Sequence, residues 1–106
     1  FERLVKMLSS REWTVFVEGH AGKGEFSANG KLDAFSISSK RAAVVARHLI
    51  KRGVRPDKIT TVFYGDTRPE KGLKRSSKIS KDINRRVEFL LRKVDLRSEG
   101  KKVDSR

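Results

Sequence analysis

The apolar residues of this chain change period along its length, and that change limits the fold more than any single residue does. Between Trp13 and Gly19 they alternate, with Trp13, Val15 and Val17 on one side and Thr14, Phe16 and Glu18 on the other, as in a half-buried strand. From Ile37 the period lengthens, so that Ala42, Val45, Ala46 and Leu49 share one face at helical spacing. From Arg86 to Arg92 alternation returns, with Val87, Phe89 and Leu91 opposite Glu88 and Leu90. A chain that carries both periods must pack helix against sheet.

The remaining segments fill in the order. Phe1, Leu4, Val5 and Leu8 fall at i, i+3, i+4 and i+7 and predict the end of a longer helix. Residues 21–36 hold three glycines and many small polar residues, which predicts a loop, and one of that length is usually functional. Ser36 or Ser38 can cap the helix that follows, and Gly53 can take its left-handed stop position. After a turn at Arg55-Pro56-Asp57, the β-branched and aromatic run Ile59 to Tyr64 reads as a strand closed by Gly65. Residues 66–83 are strongly basic, with a short helical stretch expected from Ser77, and the charged tail beyond Lys93 is expected to be disordered. The reading is an α+β sandwich, with helices on one face of a small mixed sheet, over residues 1–93, followed by a basic tail over 94–106.

Composition narrows the function. With 106 residues the chain has room for one domain with one modest core. A formal charge of +13 favours an anionic partner such as nucleic acid, lipid headgroups or an acidic polymer. The absence of cysteine excludes a disulfide framework and a thiolate metal site. No stretch has the roughly 20 apolar residues of a membrane span, and the chain begins at Phe1, so a targeting or anchoring segment is expected upstream. Catalytic signatures are missing: there is no G-x-S-x-G, no H-E-x-x-H and no Cys nucleophile, and the spacing of Glu18 and Asp66 does not enforce proximity. His20 and His48, far apart and without a second ligand cluster, predict no metal site, and no cofactor is implied. A nucleic-acid module of the RRM kind would need two aromatics on one strand face, whereas Phe63 and Tyr64 are adjacent and point to opposite faces. The cations Lys71, Lys74, Arg75, Lys78 and Lys81 instead crowd one loop.

Three signatures in order then resemble the OmpA C-terminal family. Val17-Glu18-Gly19-His20 is similar to its V-E-G-H-T-D, and Ile37-Ser38-Ser39-Lys40-Arg41-Ala42 with Val45 and Leu49 resembles L-S-x-x-R-A-x-x-V-x-x-x-L. Asn84-Arg85-Arg86-Val87-Glu88 matches N-R-R-V-E, and Gly53-Val54, Ile59, Tyr64-Gly65-Asp66 and Pro69 fall between in the family's order. His20 to Ile37 spans 17 positions, a loop length that resembles flagellar stator B subunits, with Phe35 where those carry a Trp. The resemblance implies a βαβαβ sandwich whose first strand is missing here, non-catalytic binding to the peptidoglycan stem peptide, and a periplasmic location. It also implies a homodimer anchored through an upstream transmembrane segment beside a stator A-type channel partner.

Arg41 is the residue on which binding turns. With Ser38 as cap it would lie in the first helical turn, where a cation is disfavoured and an anion is expected beside it. In the family the matching Arg binds the carboxylate of diaminopimelate, and an Asp of H-T-D takes the ammonium. Here His20-Ala21-Gly22 lacks that Asp. Either Glu25 or Asp33 substitutes, or the ligand lacks a diaminopimelate centre, or the fold has been kept without binding, leaving a dimerisation or interaction domain; the alternative for Arg41 is a structural pairing with a nearby carboxylate such as Asp33 or Glu25. Arg85 is open between ligand contact and bracing, Asn84 between ligand contact and turn cap, His20 between site residue and oriented structural histidine, and Phe35 between sugar platform and loop anchor.

Overall fold

The computed structural model describes residues 1–27, 29–30, 32–69 and 85–94. The elements run α1 (Glu2–Leu8), β1 (Trp13–Gly19), α2 (Ala34–Lys51), a 3₁₀ turn (Pro56–Lys58), β2 (Ile59–Phe63) and β3 (Val87–Lys93). β1 is the central strand, with β2 parallel on one side and β3 antiparallel on the other. A parallel pair needs a crossover, and α2 supplies it. The α+β reading with a mixed sheet is what the chain adopts.

Alternation on β1 decides which face is buried. Val15 and Val17 are almost fully enclosed and meet Ala42 and Leu49 of α2, Leu8 of α1 and Val54. Trp13, Ile59, Val87 and Leu91 from the strands and Leu4, Val5 and Val45 from the helices close the periphery, so both helices cover the same sheet face. Each fully buried Val or Leu contributes roughly 1.5–3 kcal/mol, and this small cluster is the main source of stability. The opposite face, with Thr14, Phe16 and Glu18, carries no described helix. Phe89 points to the packed side but stays 40% exposed, because β3 is an edge strand and α2 lies mainly over β1 and β2.

One glycine fixes how α2 meets the sheet. A Cβ on Gly19 would lie 2.0 Å from the carbonyl oxygen of Ser38, so only a residue without a side chain lets the start of α2 rest on the end of β1. The far end of α2 stops as its sequence predicts, with Gly53 at φ 102° just past the helix.

The helix start departs from expectation. α2 begins at Ala34, and its cap is Asp33, whose Oδ1 accepts the Ser36 N–H at 3.0 Å. Ala34, Phe35 and Ser36 are therefore helical and the loop is shorter than residues 21–36. Ser36 and Ser38 are not caps: the Ser38 hydroxyl donates to the Phe35 carbonyl at 2.9 Å, inside the helix. The physical reason is that a carboxylate caps at least as well as a hydroxyl, and Asp33 comes first. The short helix expected from Ser77, the basic residues 70–83 and the tail beyond Val94 lie outside the described residues.

Candidate functional site

Arg41 sits two turns into α2, not in its first turn, so the helix dipole does not account for its partner. Its partner is Glu25, reached across the loop. Nη1 donates to Oε1 at 2.8 Å and Nη2 to Oε2 at 2.6 Å, a two-point fork on one carboxylate. Nη1 also donates to the His20 carbonyl at 3.1 Å, which ties the guanidinium to the end of β1. Glu25 is held from behind by the Gly22 N–H, 2.9 Å from Oε1, and from the side by Arg85, whose Nε lies 3.6 Å from Oε2.

These contacts set the charge state. Burial pushes the Glu25 carboxyl upward, but the hydrogen bonds from Arg41 and Gly22 and the charges of Arg41 and Arg85 outweigh it, leaving its pKa below the ordinary glutamate value. Two guanidiniums thus share one carboxylate, and the cluster keeps a net positive charge. Among the described residues, Arg41 Nε–H and one Nη2–H meet no protein acceptor. That unused edge is the side fork of the guanidinium and has the geometry for a second carboxylate. Beside it lies a shallow cavity of about 370 Å³ lined by Ile37, Lys40, Arg41, Val44, Val45 and Val87.

The other expected site residues divide around this pair. Ser38 is fully buried and its hydroxyl accepts the Gly65 N–H at 2.9 Å, so it fastens α2 to the loop after β2 and offers no surface to a ligand. Phe35 is half exposed, and its ring lies so close to Gly65 that a Cβ there would come within 2.9 Å of it. Asp33 is spent on the helix cap, and its hydrogen bond with Ser36 holds its carboxyl below the usual aspartate range. Arg85 reaches the site through Glu25, with its side chain 46% exposed. His20 is buried, its ring stacked on Tyr64 at 5.2 Å between centroids. Asn84 lies outside the described residues.

Glu25 is among the acids the sequence offers for this place, but the part played by position 22 does not show there. Lacking a carboxylate, Gly22 contributes its backbone N–H, which orients the acid three residues later. The only sequence signal was the spacing of a small residue and an acid in a glycine-rich loop.

A family model described as the OmpA family matches residues 1–86. The fold is similar to the C-terminal domain of Helicobacter pylori MotB, with a TM-score of 0.72 at 23% identity, covering 91% of this chain and 70% of that one. A MotB-like protein from Desulfovibrio vulgaris gives 0.68 at 26%, covering 89% and 60%. The peptidoglycan-associated lipoprotein from Burkholderia pseudomallei gives 0.71 at 21%, covering 86% and 73%. Comparison with curated protein sequences gives no match.

Proposed function

The chain belongs to the OmpA family, and we propose on that premise that it is a non-catalytic module that binds the stem peptide of peptidoglycan. One observation carries the reading: Glu25 holds the end fork of Arg41 while its side fork, Nε and Nη2, meets no protein acceptor among the described residues. A zwitterionic side-chain terminus such as that of diaminopimelate fits both halves. Its carboxylate would take the side fork of Arg41, and its ammonium would approach Glu25, which then fills the role of the family's missing Asp. The apolar cavity lined by Ile37, Val44, Val45 and Val87 suits the methylene chain behind that terminus.

Likeness to MotB domains, and to a lipoprotein whose name records association with peptidoglycan, supports a periplasmic setting and a wall-anchoring task. Among the described residues no helix is long and apolar enough to cross a membrane; an anchor in an upstream segment is part of the proposal. In the stator version of this proposal the domain acts as a homodimer and fixes an ion channel, shared with a stator A-type partner, against the wall.

The same ion pair supports a second reading, in which Glu25 closes the site and the domain serves dimerisation without wall binding. Co-sedimentation with purified sacculi separates the two. Wall binding requires the wild-type chain to pellet, Arg41→Ala to lose at least tenfold in affinity, equal to about 1.4 kcal/mol, and Glu25→Gln to lose less. If wild type and Arg41→Ala both stay in the supernatant while sedimentation analysis shows a stable dimer, the second reading replaces the first.

A further inference from the structure

The sheet face turned away from the helices carries a second polar cluster, at the same end of β1 as Arg41. Glu18 of β1 lies directly across from Glu88 of β3 in the antiparallel register, and His20 follows Glu18 by two residues. One donor atom from each of Glu18, His20 and Glu88 lies within 4.8 Å of the other two. Neither acid is fully exposed, and His20 is only 3% exposed.

Two carboxylates facing each other across a strand pair repel, and such a pair calls for positive charge nearby. Arg86 supplies some of it, since its Nε donates to Glu88 Oε2. The Tyr64 hydroxyl donates to Glu18 Oε2 at 3.4 Å while its ring stacks on the imidazole of His20. Each carboxylate therefore has one oxygen oriented by a neighbour and a second oxygen besides, and the imidazole rests against the Tyr64 ring. Outer contacts of this kind position the ligands of metal sites.

We infer that Glu18, His20 and Glu88 form a site for a divalent transition-metal ion of the zinc class. The donor set decides the class. One imidazole nitrogen with two carboxylate oxygens suits a borderline cation that accepts mixed ligands, whereas calcium and magnesium prefer oxygen alone. A tetrahedral ion bonded at roughly 2.0–2.2 Å sets its donors about 3.4 Å apart. The donors reach that spacing by rotation of the two glutamate side chains, with the buried imidazole as the fixed point. Three protein ligands leave the fourth position to water or to a group from outside.

This site is independent of the wall-binding reading, although His20 touches both clusters: its carbonyl accepts from Arg41 while its ring belongs here.

The test uses the tag-free, metal-stripped chain titrated with Zn²⁺ by calorimetry, with thermal unfolding in parallel. Expected are one ion per chain and an unfolding midpoint that rises with free Zn²⁺, by about 5 °C or more at a tenfold excess over Kd. Glu88→Gln, which still offers Arg86 an acceptor, lowers the affinity at least tenfold, and His20→Ala abolishes it. His48→Ala, on the exposed side of α2, leaves it unchanged. If His20→Ala does not fold, Glu18→Gln replaces it, because that side chain is only half buried. No heat and no midpoint shift in the wild type overturns the inference. So does an affinity that survives Glu88→Gln or disappears with His48→Ala.

Discussion

The two polar clusters at the end of β1 share a residue and differ in the sign of their surplus charge. On the helix side, Arg41 and Arg85 face the single carboxylate of Glu25, and on the open side of the sheet Glu18 and Glu88 face each other with Arg86 on one of them. Origin explains the difference. The first cluster is built by a loop folding back onto a helix, so Glu25 could come to Arg41 without constraint from a neighbouring strand. The second is imposed by strand register, which places Glu18 opposite Glu88 whatever their charges. A surplus of cations suits an anionic ligand, and a surplus of carboxylates suits a cation.

One close backbone approach, at Gly19, holds both clusters in place. Gly19→Ala drives a methyl group into the Ser38 carbonyl, and relief requires α2 to lift from β1. Ser38 would lose Gly65, Arg41 would lose the His20 carbonyl, and the backbone between Glu18 and His20 would shift. A loss of at least about 3 kcal/mol is expected in denaturant unfolding, at the upper end for overpacking. A variant within about 0.5 kcal/mol of wild type would show that the end of β1 does not tie the clusters.

That coupling marks the limit of what the sequence made legible. β1 could be read to the residue because Trp13, Val15 and Val17 alternate with polar or half-buried neighbours, and the middle of α2 because Ala42, Val45, Ala46 and Leu49 keep one face. The start of α2 is masked because Asp33-Ala34-Phe35 follows a glycine-rich stretch, where composition speaks for loop even though Asp33 is a strong cap. Correcting that start moves Arg41 from the first turn to the third and removes the dipole argument, while its expected acidic partner proves to be Glu25. The alternation of β1 and β3 tells which face each residue takes but not which strands are neighbours, so the meeting of Glu18 with Glu88 shows only once β1 is paired with β3.

A smaller loss falls on the Arg41 cluster alone. Glu25→Gln keeps the shape of the loop but removes the charge shared by Arg41 and Arg85, costing about 1–3 kcal/mol at neutral pH. Because the folded Glu25 has a pKa below its unfolded value near 4.5, its stabilisation is present above that pH and is lost as pH falls through the folded value. Wild type should therefore lose stability more steeply than Glu25→Gln below about pH 4.5. Glu88 and Asp33, also held low, titrate in both proteins and cancel in the difference. Parallel acid limbs in thermal unfolding would show that Arg41 gains nothing from the charge of Glu25.

The smallest effect separates the cap from the site. Asp33→Ala removes the acceptor of the Ser36 N–H and should fray the first turn of α2, read as faster amide exchange at Ser36 and Ile37. Its fall in unfolding midpoint should be smaller than that of Glu25→Gln, since Asp33 is exposed and contacts neither cluster. Arg41 lies two turns further along, held by Glu25 and the His20 carbonyl, so sacculus binding should stay within about twofold of wild type, a change of about 0.4 kcal/mol. A loss as large as that of Arg41→Ala would mean that Asp33, not Glu25, is the acid that meets the ligand, and that the loop rearranges on binding to bring it there.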